Sequence, residues 1–364
     1  MSYVDSLHIS IREGDAAIHL SVETTGGRKD RVRAAVLIDG GKTHPDSTGD
    51  RLSKPPVRTV DLRLPPILQT IAWINENYEC ENNQLKFDAI VITHWDGDHY
   101  NGITEALQLA ATPINPVDPP VQIPWLKWDN TSHEPMTRLY CPHFGRPNAY
   151  QVEEGNPHWV SIDVPGKGWY RFAQYHDTSD DVFDVLGVEF FSNQHLTGPQ
   201  RRAMTPSQLL SEHKILGPAI YCVGVSERNL KDPYPAFEAT IVGPDNSAKN
   251  RSSIAAMVMW PGTPPRVSHY FAGDLDDDRE IAIMDWLDTE NPRIEKITSV
   301  KLNHHGSATS TPLKLFRRFQ PLNTFIPTPV NARHSHPSTP YSVYPFSTFP
   351  FPRRPFRYVL SFTP

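Results

Sequence analysis

Cysteine is scarce in this chain: Cys80, Cys141 and Cys222 are the only three among 364 residues. They are odd in number, far apart and never in a C-x-x-C pair. That argues against a disulfide framework and a cysteine zinc knuckle, and it fits a reducing compartment. Long apolar runs are missing too. No stretch approaches about 18 consecutive apolar residues, so no bilayer-spanning helix is expected. The opening residues, MSYVDSLHIS, place no basic segment before an apolar one. No secretory leader is therefore expected, and the cytoplasm is the expected location. Positive charge is not in excess, since 35 Lys and Arg face 41 Asp and Glu for a net charge of −6. Bulk electrostatic binding of nucleic acid is not expected; a local basic groove stays open.

Two residue types are abundant. The 36 prolines are about twice the usual ~5% share, and several of the 16 histidines stand in tight clusters. With 38% hydrophobic and 21% charged residues, the chain is long enough to bury a core without a disulfide or metal staple.

Ser6–Arg12, Ala16–Glu23 and Arg33–Ile38 are short alternating or apolar runs separated by glycine turns, and they predict strands. Pro65–Tyr78 predicts a helix with Ile67, Ile71 and Ile74 on one face. Phe87–Thr93, a near-continuous apolar run, predicts a buried central strand, and Asn101–Ala110 a helix after it. Residues 112–184, broken by prolines, predict a long irregular insertion packed over one face, in which Trp125, Trp128, Tyr140 and Phe144 form either core or a lid. Further strands are expected at Val185–Phe191, Ala219–Val225, Ala239–Val242, Ser253–Trp260, His269–Ala272, Ile297–Leu302 and Asn323–Pro327. Helices are expected at Arg279–Leu287 and Pro312–Phe319, and the Pro- and Phe-rich tail from Tyr341 to Pro364 reads as irregular. Strands then helix, given twice, predict an α/β fold of four layers, an αββα sandwich spanning residues 1–340.

Polar clusters follow the strand ends. Directly after the central strand stand His94, Asp96, Asp98 and His99. Crowding two carboxylates and two imidazoles into one turn is costly without a cation to offset the repulsion. His94 and Asp96 can point toward one ion, Asp98 and His99 toward a second. Gly273-Asp274 ends another apolar run, where a carboxylate can bridge two ions. Lys301 to Ser307 carries His304 and His305; one can close the second metal site and the other can bond a substrate oxygen. Arg333 to Pro337 adds His334 and His336, suited to a developing oxyanion. Asp276, Asp277 and Asp278 read as a solvated helix start.

These residues resemble the metallo-β-lactamase fold hydrolases. The variant they are most similar to is the hydrolase domain of ComEC-type competence DNA-uptake proteins and their stand-alone relatives, which carries HxDxDH. The matching segments are His94 to His99, Gly14-Asp15, Ile38 to Gly41, Asn250 to Ser253, Gly273-Asp274, His304 to Ser307 and His336-Pro337. The family's distal metal histidine has no clear counterpart, and His143 and His195 are left by elimination. The chain ends soon after the last motif, so the family's final helix is not expected.

The resemblance implies a binuclear metal-dependent hydrolase. His94 and Asp96 would hold one ion; Asp98, His99 and His304 or His305 the other, with Asp274 and a hydroxide between them. Asp39 would orient the ligand loop, and His336, with Lys301, would stabilise the transition state. The carboxylate in place of histidine at Asp96 makes the site harder, suiting manganese or magnesium better than an all-imidazole site does, and zinc or manganese is the expected ion. A two-metal site fits attack at phosphorus, so a phosphodiester or a nucleic acid is the expected substrate, with a carboxylic ester or lactone as the rival. A degenerate metal-binding interaction module is the non-enzymatic alternative. No membrane partner is expected.

Overall fold

Short apolar or alternating runs within the first forty residues form three strands of an antiparallel meander. The computed structural model describes residues 2–9, 14–42, 65–110, 123–129, 134–142, 150–152, 159–164, 168–176, 219–224, 246–260, 266–289, 297–325 and 356–360. In the meander, β1 (Ser2–His8) pairs with β2 (Ala17–Glu23), and β2 with β3 (Arg31–Ile38). Ile18, Leu20, Val22, Ala35 and Leu37 belong to one apolar core. The alternate residues His19, Ser21 and Val36 are also buried. Both faces of these strands are therefore covered.

Helix α1 (Pro66–Asn77) starts with proline in its first turn, where a missing N–H costs nothing. It packs Ile67, Ile71 and Ile74 into the first core. Strand β4 (Ala89–Val91) lies parallel to β3 and is buried throughout, which is why its sequence does not alternate. Helix α2 (Gly97–Ala110) starts four residues before the expected Asn101, so Asp98 and His99 sit in its first turn. Asp98 there offsets the positive end of the helix dipole. Ile103, Ala106 and Leu107 join the core of α1.

The insertion expected to be irregular is largely strand where it is described. A small ribbon pairs β5 (Trp128–Asp129) with β6 (Glu134–Pro135). Strands β7 (Arg138–Cys141), β8 (Tyr150–Val152), β9 (Trp159–Val164) and β10 (Gly168–His176) extend the first sheet edgewise instead of packing over a face. The open edge of β4 accepts β7 as a parallel neighbour, and runs such as Trp159–Val164 are rich in strand-forming types. Trp125 and Tyr140 are core residues; Phe144 lies outside the described residues.

The second sheet is built from β11 (Ala219–Gly224), then, after helix α3 (Asn246–Arg251), β12 (Ala255–Trp260) and β13 (Arg266–Phe271). Helix α4 (Asp277–Thr289), β14 (Ile297–Lys301), α5 (Leu313–Phe319) and β15 (Asn323–Phe325) follow. The order is β11-β12-β13-β14-β15, antiparallel through β13 and parallel beyond it. Helix α3 was not foreseen, and the strands expected at Val185–Phe191 and Ala239–Val242 lie outside the described residues. The tail expected to be irregular contains β16 (Phe356–Leu360), which pairs antiparallel with the free edge of β1. The first sheet then runs β16-β1-β2-β3-β4-β7-β10-β9-β8. The fold is mixed α/β, with two mixed sheets and several helices, and no described helix is long and apolar enough to cross a membrane.

Histidines meet where the sheets touch. His8 of β1 and His19 of β2 lie 5.2 and 5.4 Å, ring centre to ring centre, from His269 of β13. His8 stacks on Phe325 at 4.3 Å and His19 on Phe271 at 5.9 Å. Ser6 and Ser299 hydroxyls meet Nδ1 of His19 and His269, each at 2.8 Å. His8 is partly buried, but its Nε2 is shut off from solvent and has no hydrogen-bond partner. Burial pushes His8 down to about 4 and His19 to about 3, and it holds His269 well below the usual imidazole range.

The unfolded chain protonates these rings near 6.5, whereas the folded chain keeps them neutral. Their contribution is intact above pH 6.5 and is lost progressively as the pH falls from there to about 4 for His8 and about 3 for His19, at about 1.4 kcal/mol per ring per pH unit. The urea midpoint is therefore expected to drop steeply between pH 6.5 and 4. His19→Leu should flatten that slope by about one proton; an unchanged slope in the variant would count against this account.

Candidate metal centre

Parallel strands deliver their carboxyl ends to one edge, where α/β sheets bind ligands. Asp39 follows β3, Thr93 to Asp96 follow β4, Gly273-Asp274 follow β13, and Asn303 to Gly306 follow β14. Backbone bonds tie these loops together across the two sheets. Asp39 N donates to Val91 O at 2.8 Å, Ile254 N to Thr93 O at 2.9 Å, and His304 N to Gly273 O at 3.0 Å. The turn between β1 and β2 joins them, with Asp15 N donating to Asp98 O at 3.2 Å.

Two glycines permit this closeness. Gly14 has φ +86°, and a Cβ there would lie 1.5 Å from Asp98 O. Gly273 has φ +52°, and a Cβ would lie 2.6 Å from Thr93 Oγ1. Asp39, His304 and His305 take left-handed φ values of 54°, 46° and 53° without being glycine. Such strain costs about 1–3 kcal/mol per residue and persists where the surroundings over-determine it, as at ligand clamps.

Asp274 is the hub. Its Oδ1 lies 3.3 Å from His99 Nε2. Its Oδ2 lies 3.6 Å from His305 Nε2, 3.8 Å from His94 Nε2 and 3.9 Å from His304 Nε2. His305 Nε2 is also 3.1 Å from Asp98 Oδ2. Sets of three donors lie within 4.8 Å of one another in four combinations: His94, His99, Asp274; Asp98, His99, His305; Asp15, Asp274, His305; and Asp15, Asp39, His99. A tetrahedral ion with bonds near 2.1 Å separates its ligands by about 3.4 Å, so these spacings suit ion binding after small adjustments.

The other ring nitrogens of His99 and His305 face carboxylates. His99 Nδ1 is 2.9 Å from Asp39 Oδ2, and Asp39 also accepts Thr93 N and Thr93 Oγ1, each at 2.7 Å. His305 Nδ1 lies 3.5 Å from Asp15 Oδ1. Both rings thus present Nε2 to the centre and Nδ1 to a carboxylate, the arrangement that fixes metal-binding imidazoles. The residues fit a cation on a further count: Nε2 of His94, Nε2 of His99 and Oδ1 of Asp274 are buried without a hydrogen-bond partner. Orphaned buried polar atoms of this kind are rare and costly, and an ion satisfies all of them.

Without an ion, protons balance the charge. Burial and then the neighbouring His99 push His94 down to about 3. Burial opposes charge on His305, yet the carboxylates of Asp274, Asp15 and Asp98 push it up to about 10. His99 is raised well above the usual range, against its burial, by Asp274 and Asp39. Burial alone would raise Asp98, but the His305 bond and the nearby imidazoles hold it well below the usual carboxylate range.

The structure thus gathers His94, Asp98, His99, Asp274 and His305, and of the two adjacent histidines His305 is the one in the three-donor sets. Asp96 sits at the rim: its Oδ2 is 3.8 Å from His94 Nε2, its Oδ1 is 3.4 Å from Lys249 Nζ, and it joins no set of three. His304 Nε2 lies 3.4 Å from Asn250 Nδ2. Lys301, expected near a transition state, is a buried ion-pair partner of Asp15 that also donates to Gly273 O at 2.9 Å. Asp276 caps α4 by accepting Arg279 N at 3.3 Å, as a helix start should. His336, the rest of Arg333 to Pro337, His143 and His195 lie outside the described residues.

Sequence reasoning gave Asp15 no role, although a Gly-Asp step between two strands was the available signal. It missed Glu280 and Asn303 altogether. Glu280, on α4, accepts Asn303 Nδ2 at 2.5 Å, Tyr270 Oη at 3.1 Å and Thr311 N. Asn303 Oδ1 accepts Ala272 N at 2.9 Å, bracing the Asp274 loop against the His305 loop. Burial pushes the Glu280 carboxyl up to about 8.

An ion must displace the protons on His99 and His305, so metal affinity is expected to rise with pH across 6 to 8. Calorimetric titration in buffers of different ionisation enthalpy should register the released protons. Affinity that is flat with pH, with heats independent of the buffer, would contradict the assignment. Asp39→Asn should weaken binding by about 10–100-fold through loss of ring orientation.

The chain matches no known protein-family profile and no curated protein, so the case for this centre rests on its own geometry.

Proposed function

We propose that the protein is a binuclear metal-dependent hydrolase acting on phosphodiesters, built as the four-layer αββα sandwich of the metallo-β-lactamase fold. The observation that carries this reading is Asp274, one buried carboxylate with His94 and His99 on one side and His305 on the other. Loops from both sheets supply these groups, and Nε2 of His94 and Nε2 of His99 are buried with no hydrogen-bond partner. The contact of the two sheets across His8, His19 and His269 supports the layered arrangement.

Each residue has a role in this reading. His94, His99 and Asp274 hold one divalent ion, with Asp96 closing the set from the rim. Asp98, His305 and Asp274 hold the second. Asp39 and Asp15 orient His99 and His305 through Nδ1, and Lys301 offsets the charge of Asp15. His304, 3.9 Å from Asp274, is placed to donate to a substrate oxygen. The mixture of imidazole and carboxylate donors suits zinc or manganese. Two such ions supply Lewis acidity, an activated water near neutral pH and a clamp on both the attacking and leaving oxygens.

Metal analysis after loading should find about two ions per chain, and manganese or zinc add-back should restore turnover of bis-p-nitrophenyl phosphate. Asp274→Ala should reduce that turnover to background. His305→Ala should cost both metal and rate, whereas His304→Ala should cost rate with the metal retained. Faster turnover of p-nitrophenyl acetate or a lactone would move the reading to ester hydrolysis. A folded wild-type protein that takes up no metal would end it.

A further inference from the structure

We propose that Lys249, with Asn250 beside it, anchors an anionic oxygen of the substrate at the rim of the metal centre. The inference rests on the hydrolase reading and assigns it a substrate-binding element.

Among the described residues, Lys301, Arg251 and Arg279 are engaged by carboxylates. Lys301 pairs with Asp15 and donates to Gly273 O. Arg251 is held by Asp276 at 2.5 Å, and Arg279 lies 3.9 Å from the same carboxylate. Lys249 differs in being reachable both from solvent and from the centre. Its side chain is 35% exposed, and its Nζ lies 3.4 Å from Asp96 Oδ1. The other oxygen of Asp96 is 3.8 Å from His94 Nε2. An ion shared by His94 and Asp96 would therefore sit one carboxylate away from the ammonium. That ammonium has three donors, and its one ion pair among the described residues is with Asp96.

The element is fixed to the site. Ser252 N donates to Lys249 O at 3.0 Å and Ser253 N to Asn250 O at 3.1 Å, closing the end of α3. Ser253 Oγ in turn accepts Asp274 N at 3.1 Å. Asn250 extends the same wall toward His304, with its Nδ2 3.4 Å from His304 Nε2. Its Oδ1 is buried and has no hydrogen-bond partner. Lys249 and Asn250 thus span the rim from the Asp96 side to the His304 side.

A phosphodiester carries a full negative charge on its non-bridging oxygens before reaction, whereas a neutral ester carries none. A charge-assisted hydrogen bond from Lys249 therefore favours the diester in the ground state. The rival role is simpler: Lys249 merely neutralises Asp96 and acts only through the metal.

Manganese-loaded wild-type protein and Lys249→Ala are titrated with dimethyl phosphate, an anion, and trimethyl phosphate, its neutral counterpart, and metal content is measured on the same samples. The expected result is affinity for dimethyl phosphate weaker by about 10-fold in the variant. Trimethyl phosphate binding and metal content should change little. Unchanged affinity for the anion would overturn the proposal. So would a parallel loss of metal and of both ligands, since Lys249 would then act through Asp96. Wild-type protein without bound metal would defeat the hydrolase reading first, a result separable from either outcome by the metal content alone.

Discussion

The structure depends on the burial of the Asp274 carboxylate among imidazoles brought from distant parts of the chain. Asp274 is almost fully enclosed, and His94, His99 and His305 surround it. A carboxylate taken out of water without a partner costs several kcal/mol, and breaking a buried pair by removing one member is more damaging than never having built it. The loops around it show the expense of the arrangement. Asp39, His304 and His305 hold backbone conformations that favour glycine, and Gly14 and Gly273 allow approaches that no side chain would tolerate.

The same constraint explains the supporting residues. Asp39 and Asp15 fix the rings of His99 and His305 from behind. Lys301 balances Asp15 while holding the carbonyl of Gly273. Glu280 and Asn303 tie the loop of Asp274 to the loop of His305. Each support comes from an element other than the one it steadies. The centre is thus a joint between the two sheets, and charge balance there is coupled to their packing. The surrounding carboxylates favour the protonated forms of His99 and His305, and bound cations would compete with those protons.

The legible parts of the sequence were those where local pattern and tertiary role coincide. Ile67, Ile71 and Ile74 marked a helix face because their spacing matches the helical repeat, and they are buried as a set. The apolar run before His94 marked a central strand because parallel strands covered on both faces do not alternate. His94, Asp98, His99, Asp274 and His305 were legible because metal-ligand types stood directly after apolar runs. The rest depended on partners distant in sequence. Arg138–Cys141 looked like irregular insertion until β4 supplied an edge, and Phe356–Leu360 looked like tail until β1 did. No local pattern distinguished His305 from His304. Asp15 and Asp98 approach the His305 ring, which stands in the three-donor sets.

The most direct test of the central claim is electron paramagnetic resonance of the protein loaded with manganese. Two ions sharing Asp274, about 3.5–4 Å apart, are expected to be spin-coupled and to show the compressed hyperfine pattern of a binuclear pair. That pattern should vanish in Asp274→Ala. Only the six-line spectrum of isolated manganese at full loading would mean that Asp274 does not join two ions, and the account of this centre would be wrong.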